Sequence, residues 1–420
     1  MTSNRSKRAR LATAAVWLAG CVGSTWEDGN PHVSEKLVAT ALGDDGPVEE
    51  TGDPSQVPKL PAPHRVRPCC AFGMDLRTKL GGVEVPGYTV GNILGVEELG
   101  RHEYDNGFLT LNQDISRVVT LEKNGLVYTC RGGFVDIAHV RDNADLTLYL
   151  ATRIVLDMWG PKPVVVEGDG ARRRVVLKPI PPELIDRLGP WEVAVALAQW
   201  SAYQMSIWHE IATWYGYESV SGFPEKVSAF SPEDLYSNAF GLRIAGGILR
   251  DRRGRTRAEW DDYMAAWLDR SVQRLVPVSS ELGRRTMKSL DGRWWDSRKI
   301  VPDWTLVTKR NYDLSASVQP WRREDAGLQA DRELAEVCGQ SVALPLEVPQ
   351  RIGDVAIEDL ATVEFDVGSW APKAFPFADA SSRHVSSDEF PRIVETVRRE
   401  AEQTLGAGFD HPGPAAAKKD

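Results

Sequence analysis

The stretch WEVAVALAQWSAYQMSIWHEIATWY, residues 191–215, decides the fold of this 420-residue chain. Its apolar residues occupy nearly every side of a helix of about seven turns, and such a helix lies inside a hydrophobic core. Gly216 follows directly and suits the left-handed cap that ends many helices. The sequence therefore predicts a long central helix around which the rest of the chain packs.

Further helices are predicted on both sides of the central one. A long helix is expected from about Gly133 to Trp159. Ser231-Pro232-Glu233-Asp234 indicates another helix start, because Ser is a preferred N-cap, Pro suits the first turn and acids lie beside the positive helix end. Residues 257–276 and 279–291 are also predicted to be helical.

The β component is predicted to be small. Val164–Glu167 and Arg173–Leu177 flank Gly168-Asp169-Gly170, an arrangement typical of a hairpin. Residues 341–366 alternate like strands, whereas Pro68 to Gly107 is Gly-rich and expected to be irregular. Together the patterns predict an α+β fold, a mainly helical single domain with a small antiparallel β component and an N-terminal disordered tether.

The N-terminus carries the pattern of an export signal. Basic residues within positions 5–10 precede an apolar run at 11–18 that is too short to cross a bilayer. Leu18-Ala19-Gly20-Cys21 resembles the bacterial lipobox, in which the cysteine is lipidated. We therefore predict a lipoprotein signal peptide at residues 1–20 and lipidation of Cys21. The alternative is an ordinary cleaved signal in which Cys21 is incidental.

The predicted organisation follows from this signal. Residues 21–66 are expected to be a flexible tether, because their low apolar content does not offset the entropy of ordering. Residues 67–404 are expected to form the globular domain, and residues 405–420 a disordered tail. Val22, which follows the lipobox cysteine, favours an exported protein held at the periplasmic face of the outer membrane of the cell envelope.

Charge and hydropathy narrow the choice of partners. The net charge is -9 and no dense Lys/Arg face occurs beyond the signal, so nucleic acid is disfavoured as a partner. No apolar run of 18 or more residues follows Cys21, so attachment to the membrane is predicted to occur through the N-terminal lipid. The envelope substrate or partner is not indicated by composition.

Four cysteines are left once Cys21 is assigned to lipid: Cys69, Cys70, Cys130 and Cys338. An exported compartment permits disulfides, and the even number allows up to two. The sequence does not choose among the possible pairings. So few cysteines in a chain of this length indicate that the hydrophobic core must carry the fold.

Polar residues lie on the buried face of the predicted helix that begins near Gly133. His139 and Asp142 share that face, and Asp136 and Arg141 are further candidates for lining a pocket. A buried carboxylate is costly unless it is paired or bound to a cation. The alternative is that Asp142 accepts a hydrogen bond from His139 or Arg141 and only orders the helix.

The central helix also carries a polar stripe against its apolar background. The stripe and its flanking residues are Gln199, Tyr203, Ser206, His209, Glu210 and Thr213. If it faces the first helix, His139, Asp142 and His209 are expected to bind one divalent, zinc-like metal ion. Glu210 would act as general base on a bound water or as another ligand. The alternative is a buried hydrogen-bond network.

A zinc-protease motif is not present at this position. His209-Glu210 begins like that motif, but its second histidine is replaced by Thr213. Any metal site must therefore be assembled from separate segments of the chain.

Cys130 is a competing centre. It precedes the predicted helix start at Gly133, where the helix dipole lowers the pKa of a thiol. Its alternative role is that of nucleophile, with His102 or His209 as the base. The order of His102 before Cys130 resembles that of permuted papain-like amidases. A disulfide at Cys130 would exclude this role.

Long motifs of the chain resemble an uncharacterised family of bacterial exported proteins and lipoproteins, the domain of unknown function 4056. They are PCCAFG (68–73), GLVYTCRGGFVD (125–136), AHVRD (138–142), HEIATWYG (209–216), GFPE (222–225) and SAFSPEDLYSN (228–238). The resemblance covers roughly Pro68 to Phe365 and implies that these segments form one domain. It implies no activity.

Three hypotheses of function follow. The first is a lipid-anchored envelope protein that acts as a metal-dependent hydrolase on an envelope component. The second is a non-catalytic envelope scaffold or binding lipoprotein, whose polar helix faces only bond to each other. The third is the amidase that depends on Cys130.

Overall fold

The structure is a computed structural model, and the fold is described here for a defined part of the chain. These residues are 31–43, 58–64, 67, 71–80, 83–106, 122–219, 224–329, 331–379 and 382–406. The predicted signal peptide, Cys21, Cys69, Cys70 and the predicted tail beyond residue 406 lie outside them.

Nine α-helices occur within these ranges. They are α1 Glu35–Leu42, α2 Ile137–Asp157, α3 Pro182–Leu188, α4 Pro190–Trp214, α5 Asp234–Arg250, α6 Arg257–Arg274, α7 Ser280–Ser289, α8 Arg332–Cys338 and α9 Phe390–Leu405. The fold is α+β and mainly helical, as predicted. No described helix is both long enough and apolar enough to cross a membrane.

The strands are short and pair antiparallel. They are β1 Leu76–Leu80, β2 Val83–Val90, β3 Leu126–Thr129, β4 Gly133–Asp136, β5 Val164–Gly168, β6 Ala171–Leu177, β7 Ser317–Val318, β8 Leu346–Glu347, β9 Arg351–Ile352, β10 Val355–Ala356, β11 Ala361–Val367 and β12 His384–Ser386. One sheet has four strands in the order β12-β11-β6-β5, and the other described sheets are two-stranded.

The central helix α4 lies where its sequence predicts, inside the core. Every residue of α4 except Pro190, Glu192 and Gln204 is buried. Helices α2 and α5 pack against it and against each other. Helix α5 approaches α2 closely at Gly241, where an added Cβ would collide with the backbone of Val140. A side chain at that position would therefore separate the two helices.

Trp208 of α4 ties the four-stranded sheet to the helices. Its indole is fully buried and stacks on Phe365 of β11, with ring centroids 4.8 Å apart. Its Nε1 donates a hydrogen bond of 2.9 Å to the carbonyl of Asp169 in the β5–β6 turn. This bond fixes the turn against the C-terminal third of α4. The hairpin prediction for these two strands is confirmed by the pairing of Val164–Gly168 with Ala171–Leu177.

Several predicted boundaries are wrong. Gly133–Asp136 forms β4, paired with β3, because Gly133 takes a left-handed φ of 66° at the hairpin turn. Helix α2 therefore begins at Ile137, with Asp136 as its N-cap. Helix α5 begins at Asp234 rather than directly after Ser231. In the segment expected to be irregular, β1 and β2 form a hairpin.

Part of the predicted tether is also ordered. Residues Glu35–Leu42 form α1, which buries Val38, Ala41 and Leu42 in the same core as α4. The helix packs against α5 and α6. The expectation of a flexible tether therefore does not hold for this segment, because its apolar residues are spaced to cover one face of a short helix.

A disulfide joins Cys130, in the β3–β4 turn, to Cys338, the last residue of α8. The two cysteines are 208 residues apart. A cross-link over a loop of this length removes much of the conformational entropy of the unfolded chain. Because Cys130 is bonded to Cys338, it provides no thiolate, and the role of Cys130 as a nucleophile is wrong.

We expect the double variant Cys130→Ser/Cys338→Ser to lower the free energy of unfolding by about 5 kcal/mol, from the loop-closure entropy alone. Guanidinium denaturation of both proteins measures the change. Reduced wild-type protein should match the double variant. If thiol labelling of the unreduced, denatured wild-type protein modifies Cys130, the bond is absent and this prediction is contradicted.

Candidate metal centre

A buried group of ionisable side chains lies where α2, α4 and α5 meet. One ring nitrogen of His139 and one carboxylate oxygen each of Glu210 and Asp234 all lie within 4.8 Å of one another. The His139 Nε2 to Asp234 Oδ1 distance is 3.5 Å. Ligand atoms bound tetrahedrally to zinc at its usual bond lengths are about 3.3 Å apart. Small side-chain movements would therefore bring these three atoms onto one ion.

Each of the three residues lies near one end of its helix. The carboxylate of Asp136 caps α2 by accepting from the Ala138 N–H at 2.7 Å, which places His139 in the first turn. Glu210 lies in the last two turns of α4. Asp234 is the first residue of α5, and its Oδ2 accepts from the Ser231 N–H at 2.6 Å. The site is thus assembled from one end of each of the three central helices.

The carboxylates of this site are incompletely satisfied by the protein. Glu210 Oε2 accepts from the Phe230 N–H at 2.8 Å, but Glu210 Oε1 is buried with no hydrogen-bond partner in the described chain. Burial raises the pKa of Asp234 well above its usual value, and the charges of Glu210, Glu233 and Asp136 raise it further. Without a cation, ionising this group of side chains is therefore costly.

The donor set fits a divalent transition metal. One imidazole nitrogen and two carboxylate oxygens are among the usual ligands of zinc, and three protein ligands leave a position for water or substrate. The unpartnered Glu210 Oε1 is an atom that such an ion would satisfy. The residues present therefore fit a zinc-like ion.

A cavity of about 70 Å³ lies beside the group. His139 forms part of its lining together with His209, and the two rings meet edge to face with centroids 5.9 Å apart. Asp169 and Arg173 of the β5–β6 hairpin line the opposite part of the cavity. The cavity gives a small molecule or water a place next to His139.

His209 is held by the hairpin turn. Its Nδ1 lies 3.1 Å from Asp169 Oδ1, and Asp169 also bonds to Arg173. Although burial lowers the pKa of His209, the Asp169 carboxylate outweighs it and raises that pKa to about 10. For Asp169, burial raises the pKa, but Arg173 and His209 lower it to about 2. His209 is therefore a cation at neutral pH, held next to His139.

We expect Asp169→Asn to destabilise the protein in a manner that depends on pH. The pKa of Asp169 falls from 3.8 in the unfolded chain to about 2 in the fold, which corresponds to about 2 kcal/mol. A depressed pKa gives stability that is fully present above pH 3.8 and is lost as the pH falls through about 2. The difference in unfolding free energy between wild type and variant should therefore shrink from pH 5 to pH 2. A difference that stays constant over this range would contradict the role of Asp169.

Asp142 belongs to a different cluster. Its two oxygens accept from Arg67, Oδ1 from Nη1 at 2.6 Å and Oδ2 from the backbone N–H at 2.9 Å. The Arg67 guanidinium also bonds to Glu122 and Asp145. His102 lies in the same buried cluster, with its Nε2 2.9 Å from Asp145 Oδ1. Asp142 is part of the cavity lining, but both of its carboxylate oxygens accept hydrogen bonds from Arg67.

The structure brings together some of the predicted site residues and separates others. His139, Asp142, Ser206 and His209 line the cavity, and Glu210 joins His139 in the group that could bind a metal ion. The other residues predicted to line a pocket do not line this cavity: Asp136, Arg141, Gln199, Tyr203 and Thr213. They cap α2 (Asp136), bond to nearby polar groups (Arg141, Gln199, Thr213) or lie buried in the core (Tyr203).

Sequence reasoning missed Asp234 as a member of the candidate metal-binding group and Asp169 as the partner of His209. The sequence pattern indicates only an acid beside a helix dipole at Asp234 and a turn residue at Asp169. The sequence contains one signal for Asp234, because the helix that it begins is apolar on most sides. The structure agrees, with Asp234 1% exposed. A polar residue at the start of such a helix is expected to be buried.

The fold and this site define an α+β protein with a buried histidine and carboxylate cluster at the junction of three core helices. The chain belongs to the family described as Protein of unknown function (DUF4056), whose model matches residues 57–323. The match includes His139, Glu210 and Asp234. Comparison with curated proteins and with solved structures gives no match.

Proposed function

We propose that this protein is a metal-dependent hydrolase that binds a divalent, zinc-like cation through His139, Glu210 and Asp234. The observation that carries the proposal is the convergence of one nitrogen and two oxygen atoms within 4.8 Å from three separate helices. An open coordination position next to a cavity suits a catalytic rather than a structural ion. Glu210 then serves as a ligand, one of the two roles that its position in the sequence predicts.

The surrounding residues support hydrolytic chemistry. A bound divalent ion supplies a water of lowered pKa and polarises the bond to be cleaved. Asp169 holds His209 at Nδ1, so proton donation to a leaving group would come from Nε2. Arg173 keeps the Asp169 carboxylate charged and thus keeps His209 oriented. The cavity residues therefore provide a proton donor beside the proposed ion.

Calorimetric titration of zinc into the purified, chelator-treated protein tests the proposal. We expect saturable binding in wild-type protein and loss of that binding in His139→Ala. Asp142→Asn is a matched comparison, because Asp142 lines the same cavity but is bonded to Arg67. Equal zinc affinity in wild type and His139→Ala would show that the proposed ligands do not bind the ion.

We also propose that the chain is lipid-anchored through Cys21 and acts on a component of the cell envelope. The support is the basic and apolar N-terminal pattern that ends in Leu18-Ala19-Gly20-Cys21. The full chain is expressed in a bacterium and purified from its cell envelope. Mass spectrometry of the N-terminal peptide then tests this location. An acylated cysteine is expected at position 21, and an N-terminus without acyl chains would contradict the anchor.

A further inference from the structure

Two asparagines in the cavity lining bond to each other and leave one polar atom each without a partner. Asn143 Nδ2 on α2 donates to Asn238 Oδ1 on α5 at 2.7 Å, and it also donates to the carbonyl of His139 at 3.0 Å. Both side chains line the cavity and are buried. Neither Asn143 Oδ1 nor Asn238 Nδ2 has a hydrogen-bond partner in the described chain. Buried polar atoms are rarely left in this condition, so these two atoms are available to a ligand.

The hydrogen bonds fix which atom of each side-chain amide is unpartnered. If the Asn143 amide were reversed, its oxygen would face the His139 carbonyl and the Asn238 oxygen, which are both acceptors. The pair therefore offers a ligand one acceptor, Asn143 Oδ1, and one donor, Asn238 Nδ2. Because the oxygen and nitrogen of one amide are about 2.3 Å apart, these two atoms lie within about 7 Å of each other.

The asparagine pair lies one helical turn from two of the proposed metal ligands. Asn143 follows His139 by four residues on α2, and Asn238 follows Asp234 by four residues on α5. Residues four apart share one face of a helix, with about 5–6 Å between their Cβ atoms. A peptide advances about 3.3 Å per residue, so a group bound to the pair is about one or two residues away from a bond beside the ion.

An amide group matches the asparagine pair. Its carbonyl accepts from Asn238 Nδ2 and its N–H donates to Asn143 Oδ1, whereas a carboxylate or an ester offers no donor. The cavity of about 70 Å³ has room for a few water molecules or one such group. The side chain of His64, which is also part of the lining, is 65% exposed, so the cavity opens to the surface. The rest of a peptide can therefore extend outward.

We propose that Asn143 and Asn238 bind an amide group of the substrate, so that the substrate is a peptide or another compound with neighbouring amides. As a statement about the reaction, this inference rests on the proposed function. The bond cleaved is the amide bond next to the bound group. The oxygen of water bonds to its carbonyl carbon, the C–N bond breaks, and the nitrogen takes up a proton and leaves as an amine.

Nuclear magnetic resonance of the full chain, labelled with nitrogen-15 at asparagine and treated with chelator, tests the inference. The probe is N-acetyl-alanine N-methylamide. Its diester analogue, methyl O-acetyl-lactate, keeps both carbonyls and lacks both N–H groups. We expect the amide probe to shift the side-chain signal of Asn238 in a saturable manner. The diester should bind at least about tenfold more weakly, because it leaves Asn143 Oδ1 unpaired.

The double variant Asn143→Leu/Asn238→Leu is expected to lose the binding of the amide probe. Replacing both members of a hydrogen-bonded pair by apolar side chains of similar size leaves no new unpaired atom between them, so the variant should fold. Circular dichroism checks this. Ser206→Ala is the matched control, since Ser206 lines the same cavity but donates to the carbonyl of Tyr203, and it should bind the probe like wild type.

The outcomes separate this inference from the proposed function. Equal affinity for the amide and diester probes in wild type, or binding of neither, overturns the inference whether or not zinc binds. Glycerol that binds as tightly as the amide would identify a site for hydroxyl groups and overturn it as well. Amide binding by protein that takes up no zinc overturns the proposed function and leaves the asparagine pair as a binding site. The wild-type comparison decides the inference even if the double variant fails to fold.

Discussion

Replacing Asp234 with Asn is expected to stabilise the metal-free protein and to abolish its stabilisation by zinc. Asp234 is 1% exposed and is repelled by Glu210, Glu233 and Asp136. Asn has nearly the same shape and keeps an acceptor for the Ser231 N–H, but it removes an acid that must either bury its charge or take up a proton on folding. We expect the variant to gain about 1–4 kcal/mol of stability, the range found when buried ion pairs are replaced by neutral side chains of similar volume. Wild type should gain about 2.7 kcal/mol when zinc is at 100 times its dissociation constant, and the variant should gain none.

Denaturant unfolding with and without zinc measures both effects. Asp354→Asn is the control for the same chemical change, because Asp354 lies in the exposed turn between β9 and β10 and pairs only at the surface with Arg187. It should leave both quantities nearly unchanged. If the variant is less stable than wild type without metal, the Asp234 carboxyl group is stabilised by its surroundings, and the expected repulsion from the neighbouring acids is contradicted. Unchanged stabilisation by zinc would exclude Asp234 as a ligand.

Arg67→Met is expected to lower the free energy of unfolding by about 3–5 kcal/mol. The guanidinium of Arg67 bonds to Glu122, Asp142 and Asp145, and its own side chain is 1% exposed. Burial opposes its charge, but these three acids together raise its pKa well above the usual value. Loss of the guanidinium leaves buried carboxylates without their partner, a situation more costly than loss of the ion pairs alone.

Arg187→Met is the control for this experiment. Arg187 pairs with Asp354 at the surface, where both side chains are more than half exposed, so its loss should cost less than about 1 kcal/mol. Denaturant unfolding of the three proteins at pH 7 gives the comparison. Similar losses in the two variants would show that the Arg67 cluster is not the buried ionic network that its distances indicate.

The fold was largely predictable because its centre is encoded locally. A helix formed by residues 191–215 is apolar on nearly every side, so it is stable only inside the hydrophobic core. The Gly168-Asp169-Gly170 turn by itself indicates the hairpin that contains it. The errors lie where tertiary contacts override local preference. Gly133–Asp136 pairs with β3 before α2 begins, and α1 folds because α5 and α6 cover its apolar face.

The candidate site was less predictable, because its residues are distant in sequence. The expectation that His139 meets the polar stripe of α4 agrees with the short distance from His139 to Glu210. The partner of Asp142 is Arg67, 75 residues away, and no local pattern connects the two. Likewise, Cys338 was one of three possible partners of Cys130, and only the packing of α8 beside the β3–β4 turn selects it.

Anomalous diffraction at the zinc absorption edge, from crystals of the full chain grown with zinc, tests the central claim most directly. We predict an anomalous peak about 2.0–2.2 Å from a ring nitrogen of His139 and from a carboxylate oxygen each of Glu210 and Asp234. The same crystals of Asp234→Asn should lack that peak. A zinc ion bound elsewhere in the wild-type protein, with no peak among these three side chains, would contradict the account.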